Sequence, residues 1–107
     1  MDSGWVLLGK ELEAFEAEYA ASVGVAHCVG VANGLEAMQL VLMARGIGRG
    51  DEVIVPAISW ATTYHPLQQY GLRLRFVDVD LHTLNMDVSK LEAALTPRTR
   101  MVVAVSI

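Results

Sequence analysis

The sequence predicts an α/β fold in which helices and strands alternate, the strands forming part of a mostly parallel sheet. Three observations predict it. One set of segments carries apolar residues at helical spacing. Between them lie short apolar runs bounded by turn residues, the pattern of buried strands. The two kinds of segment follow one another as α-β-α-β-α-β-α-β. Such alternation implies parallel strands with helices on the faces of the sheet.

The elements follow in order. Residues Gly9 to Val23 read as an amphipathic helix with Leu12, Phe15, Tyr19 and Val23 on one face and Glu11, Glu13 and Glu18 elsewhere. Gly24 is a suitable stop. Ala26 to Ala32 reads as a strand of small residues. Leu35 to Arg45 reads as a helix whose polar face is only Glu36, Gln39 and Arg45, so it should be covered on most sides. A loop, Gly46 to Gly50, leads to a strand over Glu52 to Val55, ended by Pro56. Trp60 to Tyr70 can be a helix that starts late or bends at Pro66, since a proline deep in a helix costs roughly 3 kcal/mol. Gly71 closes it. Leu74 to Val79 is a third strand and Leu81 to Met86 a connector. Asp87 caps a short helix over Val88 to Leu95, with Pro97 beyond its end. Met101 to Val105 is a last buried strand. No covering helix follows it, although parallel sheets are normally covered on both faces. Residues 1–107 are therefore expected to be part of a domain.

The totals agree with that expectation. A chain of 107 residues makes at most one domain. Its mean hydropathy, +0.39, is high for a small domain, which buries a smaller fraction of its surface than a large one. A tightly packed complete domain would give the same composition. The net charge is −4 and the basic residues are scattered, so no footprint for nucleic acid exists. The single cysteine, Cys28, cannot form an internal disulfide and reads as a buried structural thiol. The longest apolar run, Leu40 to Ala44, is too short to span a membrane. No leader pattern opens the sequence, and the expected compartment is the cytoplasm.

Two places could carry chemistry. Asn33-Gly34 joins a strand to an apolar helix. A glycine there lets a ligand approach the main chain, and the first helical turn offers unpaired N–H groups and a partial positive charge. These features suit a phosphate. Taken alone, the pattern fits an ordinary strand-to-helix turn better, because it is far weaker than a full phosphate-loop signature. Trp60 lies just past another strand end, where ligands sit in open α/β sheets. Its ring could stack on a planar cofactor or equally pack in the core. A phosphate turn and a ring at one sheet edge together suggest a phosphorylated aromatic cofactor. His65 has no identifiable partner carboxylate. Asp78 and Asp80 fall on one face at a strand end, where turn capping is favoured over a metal pair.

The series Ser3 to Gly9, Glu11 to Glu16, Asn33-Gly-Leu-Glu-Ala37, Gly46-Ile-Gly48, Gly50 to Pro56, Phe76-Val-Asp-Val-Asp80 and Thr96 to Arg100 resembles the DegT/StrS-type sugar aminotransferases. The resemblance runs over nearly the whole chain. It implies a fold-type I enzyme dependent on pyridoxal 5′-phosphate (PLP), with residues 1–107 the N-terminal portion of its large domain. The family's Ser-Gly-Thr phosphate turn corresponds to Asn33, Gly34 and Leu35. Leu35 lacks the usual hydroxyl, so main-chain donors are what remain there. Trp60 matches the position that stacks on the pyridine ring. Trp5 falls in a stretch near the family's active site. The family's Schiff-base lysine, its acidic partner for the pyridine nitrogen and its small domain have no counterpart within 1–107; neither Lys10 nor Lys90 matches the lysine. No catalytic residue and no metal ligand is assigned, and the chain alone is expected to be inactive. The implied reaction moves an amino group from a donor such as glutamate to a nucleotide-linked keto-sugar, in a homodimeric enzyme of polysaccharide or sugar-metabolite biosynthesis. Two other expectations stand beside it. One is a PLP-dependent sugar dehydrase of the same fold, in which histidine replaces the lysine. The other is a truncated gene product without catalysis.

Overall fold

The computed structural model describes residues 8–107. Trp5 and the start of the Ser3–Gly9 motif lie outside the described residues. The chain divides into two units, Met1–Ala32 and Asn33–Ile107.

In the first unit, α1 spans Lys10–Val23 and ends at Gly24 in the left-handed region, φ 71°. The glycine stop is the expected one. The covered stripe is not. Ala20 is buried, Leu12 and Glu16 are half-buried, and Phe15, Tyr19 and Val23 are exposed. Phe15 and Tyr19 stack on each other at 5.6 Å. Gly30 approaches Leu12 and Glu16 of α1. The Gly30 N–H donates to Glu16 Oε1 at 2.6 Å, and a Cβ on Gly30 would stand 2.6 Å from Leu12 Cδ1, so a larger residue there would have to displace the Leu12 side chain. Residues 26–32 form no strand, contrary to the sequence reading. A strand exists through its ladder, and here the Gly30 donor goes to a side chain instead. Cys28, expected in that strand, is a half-buried free thiol.

The second unit carries the sheet. Helix α2 spans Gly34–Ala44, β1 Glu52–Pro56, α3 Ala61–Gln69, β2 Arg73–Val77 and β3 Thr99–Val102. A 3₁₀ turn, Val88–Lys90, runs into α4, Leu91–Ala94. The strand order is β2-β1-β3, and both pairings are parallel, as the alternation predicts. The register slips between Glu52 and Val53 against β3, leaving Arg100 as an extra residue. Val103 continues the pairing by donating to Ile54 O at 2.9 Å.

β1 is central and fully buried, while β2 is mostly exposed. The core gathers Leu42 of α2, Val53 and Val55 of β1, Leu67 of α3, Ile47 and Leu72, with Met38, Tyr64 and Tyr70 against it. Apolar burial of this kind is the main stabilising term. α2 is covered on this side alone; Leu40, Val41 and Met43 are exposed, which corrects the expectation of cover on most sides. α3 runs through Pro66 instead of starting after it. Pro66 is fully buried, and its burial against the core offsets the missing N–H. Glu52, only 8% exposed, accepts from Thr96 Oγ1 at 2.7 Å and faces Arg75 at 3.8 Å. That pairing lies at the N-terminal end of the sheet.

Candidate cofactor site

Two helices begin near the C-terminal end of the central strand. Asn33 is the N-cap of α2, extended at φ −167°, and its Oδ1 accepts from the Glu36 N–H at 3.0 Å. Asparagine is among the best residues for this role, worth about 1 kcal/mol over alanine. The Asn33 carbonyl accepts from Ala37 N at 3.1 Å. The N–H groups of Gly34 and Leu35 are left without an acceptor among the described residues. Gly34 does not have a positive φ. A Cβ placed on it would meet nothing within 4 Å. The chain's own packing therefore does not require glycine here; the bare backbone leaves room beside two free donors.

The second helix is α3. β1 ends at Pro56, and the Ala57 N–H donates to Val77 O at 2.8 Å, holding the turn against β2. The Tyr64 hydroxyl donates to the Pro56 carbonyl at 2.9 Å, and the Tyr64 ring meets Phe76 edge-on at 5.6 Å. Trp60 is the N-cap of α3 and is 77% exposed. Of the two readings the sequence left even, cofactor stacking and core packing, core packing is not what the structure shows.

The first turns of α2 and α3 share one open cleft of about 510 Å³, lined by Asn33, Gly34, Leu35, Met38, Thr62 and Thr63. Three of the four residues named from sequence meet there. Trp60 heads the α3 turn that contributes Thr62 and Thr63. Sequence reasoning missed those two hydroxyls. For Thr63 alone a local pattern existed, the Ser59-x-x-x-Thr63 spacing, which puts the Ser59 and Thr63 hydroxyls within reach across a helix start though it does not mark a cleft. They do bond, at 2.8 Å.

The other candidates have structural roles. Asp80 Oδ1 accepts from the His82 and Thr83 N–H groups at 3.0 and 2.8 Å, the turn capping that was favoured. Those bonds hold its pKa below the ordinary value. Asp78 accepts from Val79 N, and this bond, with Lys90 beside it, lowers its pKa too. Among the described residues no group of side chains could hold a metal ion. His65 Nε2 bonds Gln69 Nε2 at 3.0 Å within α3. Lys90 Nζ lies 3.4 Å from both Asp78 and Asp87. The hydrogen bond to Asp78 raises its pKa first of all, so the amine stays protonated. Lys90 is not among the residues that line the cleft.

Residues 1–107 match the model of the DegT/DnrJ/EryC1/StrS aminotransferase family. The chain belongs to this family. Relatives of this DegT/DnrJ/EryC1/StrS chain include a GDP-4-keto-6-deoxy-D-mannose 3-dehydratase from Yersinia pseudotuberculosis, 43% identical over 100% of the chain and 29% of the relative. They also include a dTDP-3-amino-3,4,6-trideoxy-alpha-D-glucose transaminase from Micromonospora megalomicea, 46% identical over 96% of the chain and 28% of the relative. Among solved structures, a GDP-4-keto-6-deoxymannose-3-dehydratase with a trapped PLP-glutamate geminal diamine superposes with a TM-score of 0.82. The identity is 41%, over 90% of this chain and 26% of that one. The family member described here thus spans less than a third of the length of its relatives. Its fold is that of their α/β domain. No helix among the described residues is long and apolar enough to cross a membrane.

Proposed function

We propose that residues 1–107 are part of the large domain of a PLP-dependent enzyme that transfers an amino group to a nucleotide-linked keto-sugar, with Asn33, Gly34, Leu35 and Trp60 as its cofactor-facing residues. One observation carries the reading: Gly34 and Leu35, whose N–H groups have no acceptor among the described residues, line a cleft that the Trp60-headed helix also lines. The family membership and the PLP-bound relative support it.

The residues fit the group. A phosphate beside Gly34 takes the two main-chain donors at the positive end of α2. Asn33 acts indirectly, because its Oδ1 is already engaged with Glu36; it shapes the turn. Thr62 lines the same cleft and brings a hydroxyl-bearing side chain to it. It offsets the hydroxyl that Leu35 lacks. The exposed indole of Trp60 offers a face to an aromatic ring. PLP, when bound, supplies an electron sink for bond changes at the carbon bearing nitrogen, and the protein supplies binding and orientation. Lys90 supplies no nucleophile, since its amine is charged and paired.

The donor proposed is glutamate, as in the relative trapped with PLP-glutamate, and the assembly proposed is a homodimer. A second reading has a specific observation behind it: a 3-dehydratase is 43% identical over the entire chain. The experiment that tests both feeds the full-length protein PLP, ¹⁵N-glutamate and a nucleotide-linked keto-sugar. Nitrogen-15 in the sugar product supports the transaminase. A deoxygenated sugar free of the label assigns the dehydratase. Absence of PLP binding would overturn both.

A further inference from the structure

Trp60 is a poor residue for the place it holds. Helix N-caps favour Ser, Thr, Asp and Asn, and Trp60 makes no side-chain cap bond. Its exposed ring is not there for core packing either. A locally disfavoured residue held in place is what a functional position looks like. The backbone around the ring is tied down by one residue. The Thr63 N–H donates to the Trp60 carbonyl at 2.9 Å. Thr63 Oγ1 lies 2.8 Å from Oγ of Ser59, the residue just before Trp60. Thr63 therefore grips the chain on both sides of the point where the indole is attached.

We infer that Ser59 and Thr63 are positioning residues for the Trp60 ring, their hydroxyl bridge fixing the turn from Ala57 so that the indole stands ready at the strand end. The inference rests on the reading of Trp60 as the stacking ring. Stacking on a planar ligand rewards a ring whose backbone is already placed, because ordering a loose turn on binding costs conformational entropy. The valine isostere of Thr63 keeps its N–H bond and removes only the bridge.

The test uses the full-length holoenzyme with Ser59→Ala, Thr63→Val, the double variant, Thr63→Ser and Trp60→Ala, each checked for native circular dichroism. The readouts are dissociation of PLP and of pyridoxal, and quenching of the Trp60 emission by bound PLP, assigned by difference from Trp60→Ala. Ser59→Ala and Thr63→Val should each bind PLP roughly 2- to 10-fold more weakly, the scale of one net hydrogen bond. Pyridoxal should fall by the same factor, because the phosphate anchor is untouched. The double variant should be no weaker than the singles, and Thr63→Ser should restore both affinity and quenching. A lesion that is only structural lowers the melting temperature and leaves quenching in the bound state unchanged; that result overturns the inference. Parental affinity in Ser59→Ala and Thr63→Val beside a weakened Trp60→Ala also overturns it, and it alone. Parental affinity in Trp60→Ala removes the stacking reading and the inference together.

Discussion

Lys90 illustrates how much a single residue's surroundings decide. A lysine that forms a Schiff base must present a neutral amine, which usually means burial or a neighbouring cation. Lys90 has the opposite environment, two carboxylates at 3.4 Å and a half-exposed side chain, and its pKa is raised by the bond to Asp78. Borohydride reduction of a mixture of this chain with PLP, followed by peptide mapping, should therefore give only sparse labelling at Lys10 and Lys90. Stoichiometric labelling of either would contradict the assignment. At this scale the sequence was informative where residue type alone carries the chemistry. The helix start at Asn33-Gly34 and Trp60 as a ring past a strand end were both legible, whereas the Asn33 side-chain cap was not read. Thr62 and Thr63 were not, because a hydroxyl in a first helical turn becomes visible as a site only when a second helix opens onto the same cleft. At Gly34 the φ is not positive and a Cβ would meet nothing within 4 Å, so the chain's own packing does not require the glycine that the sequence places there.

Among the elements, the connector between β2 and α4 holds the most electrostatic structure. Asp80 caps its own turn through Thr83 and His82, Asp87 accepts from Ser89 N and Oγ, and Asp78 pairs with Lys90. The pKa values of all three carboxylates are lowered from 3.8, and that of Lys90 is raised from 10.5. Depressed carboxylates stabilise the fold at pH values above 3.8, and the contribution is lost as pH falls through their folded values. The raised lysine contributes below 10.5 and loses that contribution as pH rises through its folded value. Denaturation of the full-length protein should show Asp80→Asn destabilised near neutrality, with the gap to the parent closing in acid. A gap that stays constant into acid would mean that the Asp80 charge plays no part. Element order and the three parallel strands were readable because alternation and turn residues are local signals. The strand expected over 26–32 failed because pairing is not local: its apolar small residues fit a strand, but the Gly30 donor goes to Glu16. The aromatic stripe of α1 failed likewise, since periodicity marks a face without saying what covers it.

In the whole molecule, the sheet of three strands leaves β2 and β3 at its edges, and Leu40, Val41, Met43, Phe76 and Val102 stand exposed in the same unit. Open edges template pairing with other chains, and contiguous apolar surface promotes association. The isolated 107-residue chain should therefore elute as aggregates on size exclusion and bind a hydrophobic dye. A monodisperse monomer with a sharp two-state melt would contradict this. The polar pairing of Glu52 with Thr96 and Arg75 lies at one end of the strands, and a cleft beside free helix donors lies near the other. The central claim is that this cleft is the PLP site. The most direct measurement compares PLP with pyridoxal binding in full-length Gly34→Val and Trp60→Ala. Gly34→Val should remain folded, since a Cβ there meets nothing within 4 Å. It should lose more affinity for PLP than for pyridoxal, because the added side chain blocks only the phosphate. Trp60→Ala should lose affinity for both ligands equally. Parental PLP affinity in both folded variants would contradict the account.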